Sequence, residues 1–140
     1  MEKYYCKYSI HADIANQMII AGVNKAKQLG LDMVIAVLDE SAVLKAFYRM
    51  DGAALISVQL AQNKAYTAIT HPWGLSTHEI FEFIKEKPAA LASIPQIPKY
   101  VMFDGGYPIK IDGHIIGALG VSGGRVEEDE QVARAALSIL

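Results

Sequence analysis

The spacing of hydrophobic positions changes along the first third of the chain, and each spacing predicts a different element. From Ser9 to Gly30, small and apolar residues recur every three or four positions. This predicts an amphipathic helix with Ser9 as its cap and Gly30 as its stop. Residues 33–39 are apolar almost throughout and too few for a helix, so they predict a strand covered on both faces. Residues 43–50 alternate between two faces, and the turn before them joins the two strands into a hairpin.

The middle of the chain predicts two more helices. Residues from about 53 to 70 are rich in alanine and apolar over most of the helical circumference, which indicates a largely buried helix. In "LSTHEIFEFIKEKP", Ser76 and Glu79 have the spacing of a capping box, and Pro88 ends the run. An irregular stretch with two further prolines follows.

The segment "IKIDGHII" carries a strong hairpin signal. Asp112–Gly113 is a two-residue turn of the kind that antiparallel strands prefer. Counting outward from this turn, Ile111 should face His114 and Ile109 should face Ile116.

The order of the predicted elements defines a fold class. A short strand is predicted at 100–103, and a last helix from about residue 126. The full order is then helix, two strands, helices, three strands and helix. We therefore expect an α+β domain over residues 1–140, with a five-stranded, mainly antiparallel sheet and helices on both faces.

Composition adds expectations about partners and surroundings. Hydrophobic residues make up 52% of the chain and the mean hydropathy is +0.21. This apolar surplus favours a homo-oligomer, a dimer or higher, in which a neighbouring subunit covers part of the surface. Thirteen basic and fifteen acidic residues without a basic cluster argue against nucleic acid as a partner. The lone Cys6, the lack of an apolar signal core and the lack of a bilayer-length apolar run favour a cytoplasmic protein without membrane contact.

The stretch "GALGVSGG" raises the question of a nucleophilic serine. Ser122 lies between Gly120 and Gly124, before a predicted helix, as in a nucleophile elbow. In that fold a histidine follows the serine, but the last histidine here is His114, so we do not expect a nucleophile. Glycines can instead let a helix, a neighbouring subunit or a flat ligand approach the backbone. The sequence leaves helix packing and ligand contact open.

Several charged and imidazole side chains are candidates for a site. Arg49 and Asp51 form a structural clamp at a turn or contact a ligand at the rim of the sheet. Lys64 lies on the predicted buried helix, so it pairs with a carboxylate such as Asp129, Asp39 or Asp51, or binds a ligand. The histidines lack zinc-site spacing.

Two of the histidines have neighbours that bear on metal binding. His78 precedes Glu79 and Glu82, an arrangement more typical of a solvated helix face than of an iron site. His11 falls in the first turn of the first helix, where the helix dipole favours a neutral ring that can bind a metal.

Three long segments carry a family resemblance: "VIAVLDESAVLKAFYRMDGA", "SVQLAQNKAYTA" and "GGYPIKIDGHIIGALGVSGGRVEEDEQVARAAL". Together they resemble the GlcG/HbpS family of haem-binding proteins, whose domain also ends the PduO-type cobalamin adenosyltransferases. The resemblance implies a profilin-like three-layer α/β/α fold, assembly into dimers or larger rings, and a role beside diol, glycerol or glycolate metabolism. It also implies a ligand site that includes Arg49, Asp51, Lys64, Gly105, Gly106, Pro108, Ser122, Gly123 and Gly124.

The chain departs from the family pattern in two places. The first hairpin turn has Ser41 and Ala42 where relatives usually have glycine, so we expect a differently built turn. The segment "THPWGLSTHEIF" adds His71, Trp73 and His78 to a stretch that is more generic in relatives.

Two functions follow. The first is binding of haem or a related tetrapyrrole in an apolar slot, with His11 or another side chain on the iron and Arg49 or Lys64 near the propionates. The second is an accessory protein or enzyme that acts on a small hydroxylated metabolite, a hydroxy acid or a diol. Binding is favoured, because no base and nucleophile occur in a suitable order.

Overall fold

The structure is a computed structural model that describes residues 1–140. Its five α-helices are α1 (Ala12–Gln28), α2 (Ile56–Thr70), α3 (Thr77–Ile84), α4 (Pro88–Ser93) and α5 (Val126–Leu137). Its four strands are β1 (Val34–Asp39), β2 (Leu44–Arg49), β3 (Gly106–Ile111) and β4 (His114–Ser122). A single 3-10 turn, Ile94–Gln96, follows α4.

The strands form one antiparallel sheet in the order β2-β1-β4-β3. The α+β class is confirmed, but the sheet has four strands and the prediction of five was wrong. Residues 100–103 are not a strand, and the backbone N–H of Val101 donates to the side-chain oxygen of Thr67 on α2 at 2.8 Å. A helix side chain thus takes the hydrogen bond that a neighbouring strand would have supplied.

Helices cover both faces of the sheet. α1 and α5 enclose the main core on one face, together with inward residues of β1, β4 and β3. α2 packs on the other face over Val34, Ala36 and Ala118, which explains why β1 is buried on both sides. None of the helices combines the length and the apolar character that crossing a bilayer requires.

The β3–β4 hairpin has the predicted turn but a different register beyond it. Asp112 and Gly113 have φ of 51° and 81°, as a two-residue hairpin turn needs, and Ile111 pairs with His114 as predicted. A register shift between Ile109 and Lys110 then moves Ile109 opposite Gly117, so the predicted pairing of Ile109 with Ile116 was wrong.

An aspartate side chain stabilises the first hairpin turn, between β1 and β2. Asp39 Oδ1 accepts the backbone N–H groups of Ser41, at 2.9 Å, and Val43, at 3.1 Å. These bonds hold Ala42 at a φ of 63°, the left-handed region that glycine would occupy more easily. The carboxylate therefore compensates for the missing glycine.

Contacts made by the residues just before α1 and α3 determine where these two helices begin. α1 starts at Ala12, with His11 as its N-cap, and not after Ser9. The N–H of Ile10 donates to the carbonyl of Ile116 at 3.0 Å, which keeps residue 10 extended beside β4 and delays the helix. α3 starts after Ser76 as predicted, and the Ser76 hydroxyl accepts the N–H of Glu79.

Candidate functional site

α2 lies directly on two glycines of the sheet. Gly106 and Gly120 are partners in the β3–β4 ladder, and both face α2. A Cβ on Gly120 would overlap the carbonyl oxygen of Ala61, and one on Gly106 would overlap the carbonyl oxygen of Lys64. The glycine-rich strand therefore serves close packing between helix and sheet, one of the two roles that the sequence left open.

Lys64 leaves α2 at this contact and forms a buried ion pair. Its ammonium donates to the carbonyl oxygen of Val121 at 2.9 Å and to Asp129 Oδ2 at 3.3 Å. Asp129 comes from the first turn of α5, on the other side of the sheet, and its Oδ1 accepts the N–H of Gly124 at 2.9 Å. The pair joins the two helical layers across the end of the sheet. The side chains of Lys64 and Asp129 are 5% and 6% exposed.

Burial governs the ionisation of this pair. Desolvation lowers the pKa of Lys64, and attraction to Asp129 opposes that shift. Desolvation likewise raises the pKa of Asp129 against the attraction of Lys64 and the hydrogen bond from Gly124. Both charged forms are therefore held in place at an energetic cost.

A small polar recess opens beside the ion pair. It has a volume of about 230 Å³ and is lined by Leu60, Lys64, Phe103, Asp104, Ser122, Gly124, Val126 and Asp129. The hydroxyl of Ser122 bonds to that of Ser57 at 3.2 Å, and no histidine contacts it, so the arrangement lacks the base that a nucleophile requires. We call this cavity the polar recess.

A larger apolar groove adjoins the polar recess. Its volume is about 550 Å³, and its walls are Phe81, Pro95, Tyr100, Val101, Met102 and Phe103. Phe103 lines both cavities and is 67% exposed, while Phe81 is 39% exposed. Burial raises the pKa of Tyr100, which keeps its phenol protonated and leaves the groove uncharged. We call this cavity the apolar groove.

A histidine pairs with an aspartate that lines the polar recess. His78 Nδ1 lies 3.2 Å from Asp104 Oδ1 and 3.1 Å from Asp104 Oδ2. Asp104 lines the polar recess and follows Phe103, which belongs to both cavities. His78 lies on the first turn of α3, one helical turn before Phe81 of the apolar groove.

A comparison of the sequence with known protein families identifies the family to which this chain belongs. A family model described as "Haem degrading protein HbpS-like" matches residues 10–138, nearly the whole chain. The chain belongs to the HbpS-like family. The resemblance found in the sequence is thereby confirmed.

Individual relatives of this HbpS-like chain agree. It is 34% identical to corrinoid adenosyltransferase PduO of Salmonella typhimurium over 126 residues, 89% of this chain but 37% of PduO. The chain thus spans about a third of that relative's length. Protein GlcG of Escherichia coli is 34% identical over 116 residues, 83% of each chain. A crystal structure of a PduOC:heme complex superposes with a TM-score of 0.83 and 34% identity, covering 94% of this chain and 95% of that one.

The HbpS-like chain brings most of the predicted site residues together. Lys64, Ser122 and Gly124 line the polar recess. A Cβ on Gly105 would press against the Lys64 side chain, and Gly106 lies under the backbone of the same residue. Gly123, with a φ of 138°, lies against the backbone of Asp32 and Met33 next to the recess. These residues form one neighbourhood at the end of β4.

Arg49, Asp51 and Pro108 lie outside this neighbourhood. Arg49 is exposed at the end of β2 and opposite Val34, whose other partner is Ser122. Two strand spacings therefore separate Arg49 from Ser122, about 10 Å. No ion pair joins Arg49 to Asp51, so the structural clamp is not formed. Pro108 lies opposite Ala118, in the edge strand β3.

His11 lies at the other end of β4. Ile10 bonds to Ile116, six residues before Ser122, so His11 and the polar recess are about 20 Å apart along the strand. Within one subunit, His11 and Lys64 do not contact the same small ligand. A role for His11 as an axial ligand stays a prediction that requires a second subunit.

Sequence reasoning missed the apolar groove and the pairing of His78 with Asp104. The sequence predicts residues 100–103 as a strand of the sheet, and side chains packed between that sheet and its helices would not form an open groove. A signal was available in Phe81, since an apolar side chain beside His78 on an otherwise polar helix face points to a surface that binds something.

Proposed function

We propose that this HbpS-like chain binds haem or a related tetrapyrrole in the apolar groove. The observation that carries the proposal is a wall of exposed and half-buried, mainly aromatic and aliphatic side chains around a volume of about 550 Å³. This falls within the range of roughly 300–1,000 Å³ that is typical of ligand sites, whereas the polar recess is too small for a macrocycle. A relative with 34% identity has been crystallised with heme, which supports the same ligand class here.

The residues of the groove fit the needs of haem. Phe81 and Phe103 would offer flat apolar surface to the ring, and the Met102 thioether on the groove wall would be a donor for iron. Bound haem supplies an iron centre that takes axial ligands. The open side of the groove lets the propionates remain in water. Lys64 is already held by Asp129, so Arg49 of a neighbouring subunit is the better of the two predicted propionate partners.

The same proposal includes a homo-oligomer. β2 is an edge strand, and its Leu44 and Tyr48 are almost half exposed, next to an exposed Val43. Leu55 and Ile56 at the start of α2 are more exposed still. Apolar side chains on an unpaired strand favour contact with a second copy of the chain.

The test is a titration of the purified protein with hemin, followed by the Soret band. We expect saturable binding with a red-shifted band for the wild type. The double variant Phe81→Ser, Phe103→Ser should bind at least about tenfold more weakly, because the ring loses two apolar contact surfaces. Phe83→Ser is the matched control, since Phe83 lies on the same helix and is exposed but does not line the groove. A wild type without a saturable shift would refute the proposal.

The polar recess favours a second candidate, binding of a small hydroxylated metabolite in support of diol or glycerol metabolism. The recess holds one ammonium, from Lys64, and two carboxylates, from Asp104 and Asp129, together with the Ser122 hydroxyl. Its charge is therefore negative on balance, which suits a neutral diol or polyol better than a hydroxy acid.

This candidate is tested by thermal shift with millimolar propane-1,2-diol, glycerol, glycolate and lactate. We expect the two neutral compounds to raise the Tm of the wild type in a saturable way, and the two acids to do less. Ser122→Ala removes a hydroxyl from the recess and should abolish the shift in Tm. A nonspecific effect of the added compounds on stability would instead be the same in this variant and in the wild type. Equal shifts in both proteins, or none, would exclude the recess as a polyol site.

A further inference from the structure

We propose that a third cavity, between α2 and the β1–β2 hairpin, binds the anion of a small aliphatic carboxylic acid. The cavity has a volume of about 190 Å³, and its polar walls are Gln59, Gln62 and Asn63 of α2 together with Lys99. We call it the amide pocket. It shares no lining residue with the polar recess or the apolar groove, so this site is separate from both functions proposed above.

The amide pocket contains a cation and no acid. Lys99 is the one charged residue in its lining, and the Lys99 ammonium forms no ion pair with a carboxylate. The ammonium lies over the ring of Tyr66, 5.4 Å from the centroid, a contact that leaves its N–H groups available. The polar recess differs, because Asp129 neutralises its Lys64. An ammonium without a counter-ion in a concave site attracts an anion.

Hydrogen bonds along α2 orient the carboxamides of the amide pocket. Gln59 Nε2 donates to Asn63 Oδ1 at 2.8 Å, and Gln62 Nε2 donates to the carbonyl of Val58 at 2.9 Å. The bond from Gln59 engages the Asn63 oxygen, while the Nδ2 group of Asn63 has no partner in the protein. A half-buried donor thus remains unsatisfied at the wall of the pocket. A carboxylate accepts from such a donor and from an ammonium at the same time.

The backbone fixes Lys99 close to Asn63. Lys99 has a φ of 68°, in the left-handed region that a lysine seldom adopts, and such a conformation persists only where the surroundings hold it. Thr67 supplies that restraint. Its hydroxyl donates to the backbone carbonyl of Asn63 and accepts the N–H of Val101, each at 2.8 Å. The two donors are therefore positioned before a ligand arrives, which lowers the entropic cost of binding.

The remaining walls determine the size and the character of the ligand. Leu38, Ala42 and Leu44 of the first hairpin supply an apolar side. The volume corresponds to roughly six water molecules at about 30 Å³ each, which suits a carboxylate with a chain of about three carbons. Its charged end would bind Lys99 and Asn63, and its chain would cover the leucines. Glycolate and lactate lack this apolar chain and fit less well.

The experiment is a calorimetric titration of the full chain with butyrate and with butyramide, an uncharged compound of the same shape. We expect saturable binding of butyrate by the wild type and at least about tenfold weaker binding of butyramide. Leu44 also belongs to the apolar side chains that favour contact with a second copy, so the protein is titrated in its native assembly.

Two variants assign the binding to the amide pocket. Lys99→Gln removes the charge and keeps most of the chain, so it should weaken butyrate binding at least about tenfold and leave butyramide binding unchanged. Asn63→Asp keeps an oxygen that accepts from Gln59 but replaces the free Nδ2 group with a second oxygen. Its negative charge should abolish butyrate binding.

Lys87→Gln is the matched control, because the Lys87 ammonium also lies over an aromatic ring, that of Phe83 at 4.5 Å, but is outside the amide pocket. This variant should bind butyrate as the wild type does. A wild type without saturable butyrate binding refutes the proposal. Equal affinity for butyrate and butyramide, or an unchanged affinity for butyrate in Lys99→Gln, also overturns it. The hemin titration of Lys99→Gln should match the wild type, so failure of either proposal leaves the other in place.

Discussion

Replacing Asp129 with alanine is expected to lower the free energy of unfolding by about 3–5 kcal/mol, the cost of removing one partner from a buried ion pair. The Lys64 ammonium would remain buried with only the Val121 carbonyl as acceptor, and the N–H of Gly124 would lose its partner as well. Urea denaturation at neutral pH measures the change. Glu130→Ala is the matched control, because it breaks an exposed pair with Arg134 on the same helix and should cost no more than about 0.5 kcal/mol.

Replacing both partners separates the cost of breaking the pair from the value of having it. Burial is the first cause of the lowered pKa of Lys64 and of the raised pKa of Asp129, so desolvation opposes both charges. The double variant Lys64→Met, Asp129→Leu should therefore recover most of the stability that Asp129→Ala loses, and the unpaired N–H of Gly124 is the main cost that remains. A double variant no more stable than Asp129→Ala would show that the charges stabilise the fold directly.

The same pair predicts the direction of a pH dependence. A raised pKa of Asp129 in the folded state means that the folded protein binds this proton more tightly than the unfolded chain. This contribution to stability is present below pH 3.8, the ordinary value, and is lost as the pH rises through the raised value. The lowered pKa of Lys64 acts in the opposite sense, and stability rises with pH between its lowered value and 10.5. The double variant lacks both groups, so neither of these two changes of stability with pH should occur in it.

Local patterns predicted the parts of the fold that local interactions decide. The turn at Asp112–Gly113 and the pairing of Ile111 with His114 depend on two adjacent residues and were correct. The pairing of Ile109 failed, because the register shift depends on how the sheet packs further out. The strand at 100–103 failed for a similar reason, since its hydrogen-bond partner is Thr67, more than thirty residues away.

The candidate site was likewise predictable only where residues close in the sequence determine it. An apolar helix stripe containing Lys64 was enough to predict that a lysine is buried, and Asp129 was one of three carboxylates considered for it. Which of the three carboxylates pairs with Lys64 depends on the position of α5 across the end of the sheet. The spacing of residues along the sequence does not reveal that position. The pairing of His78 with Asp104 is harder still, because it joins a helix start to an irregular segment whose path is set by tertiary contacts.

The contact between α2 and the sheet predicts a large effect of one added methyl group. In Gly120→Ala the new Cβ would overlap the backbone oxygen of Ala61, which cannot rotate away as a side chain could. The helix would have to move off the sheet, and its neighbour Lys64 would be pulled away from Asp129 and Val121. We expect a loss of about 3 kcal/mol, the upper end of what overpacking commonly costs.

Gly30→Ala is the matched control for this prediction. Gly30 has a φ of 70°, and no atom lies within 4 Å of the position of an added Cβ, so the change tests backbone conformation without a clash. It should cost about 1 kcal/mol. Urea denaturation of the two variants distinguishes the causes: a much larger loss in Gly120→Ala shows that helix contact requires the glycine. Similar losses in both would mean that α2 has room to shift, and that the glycine-rich strand does not depend on close packing by the helix.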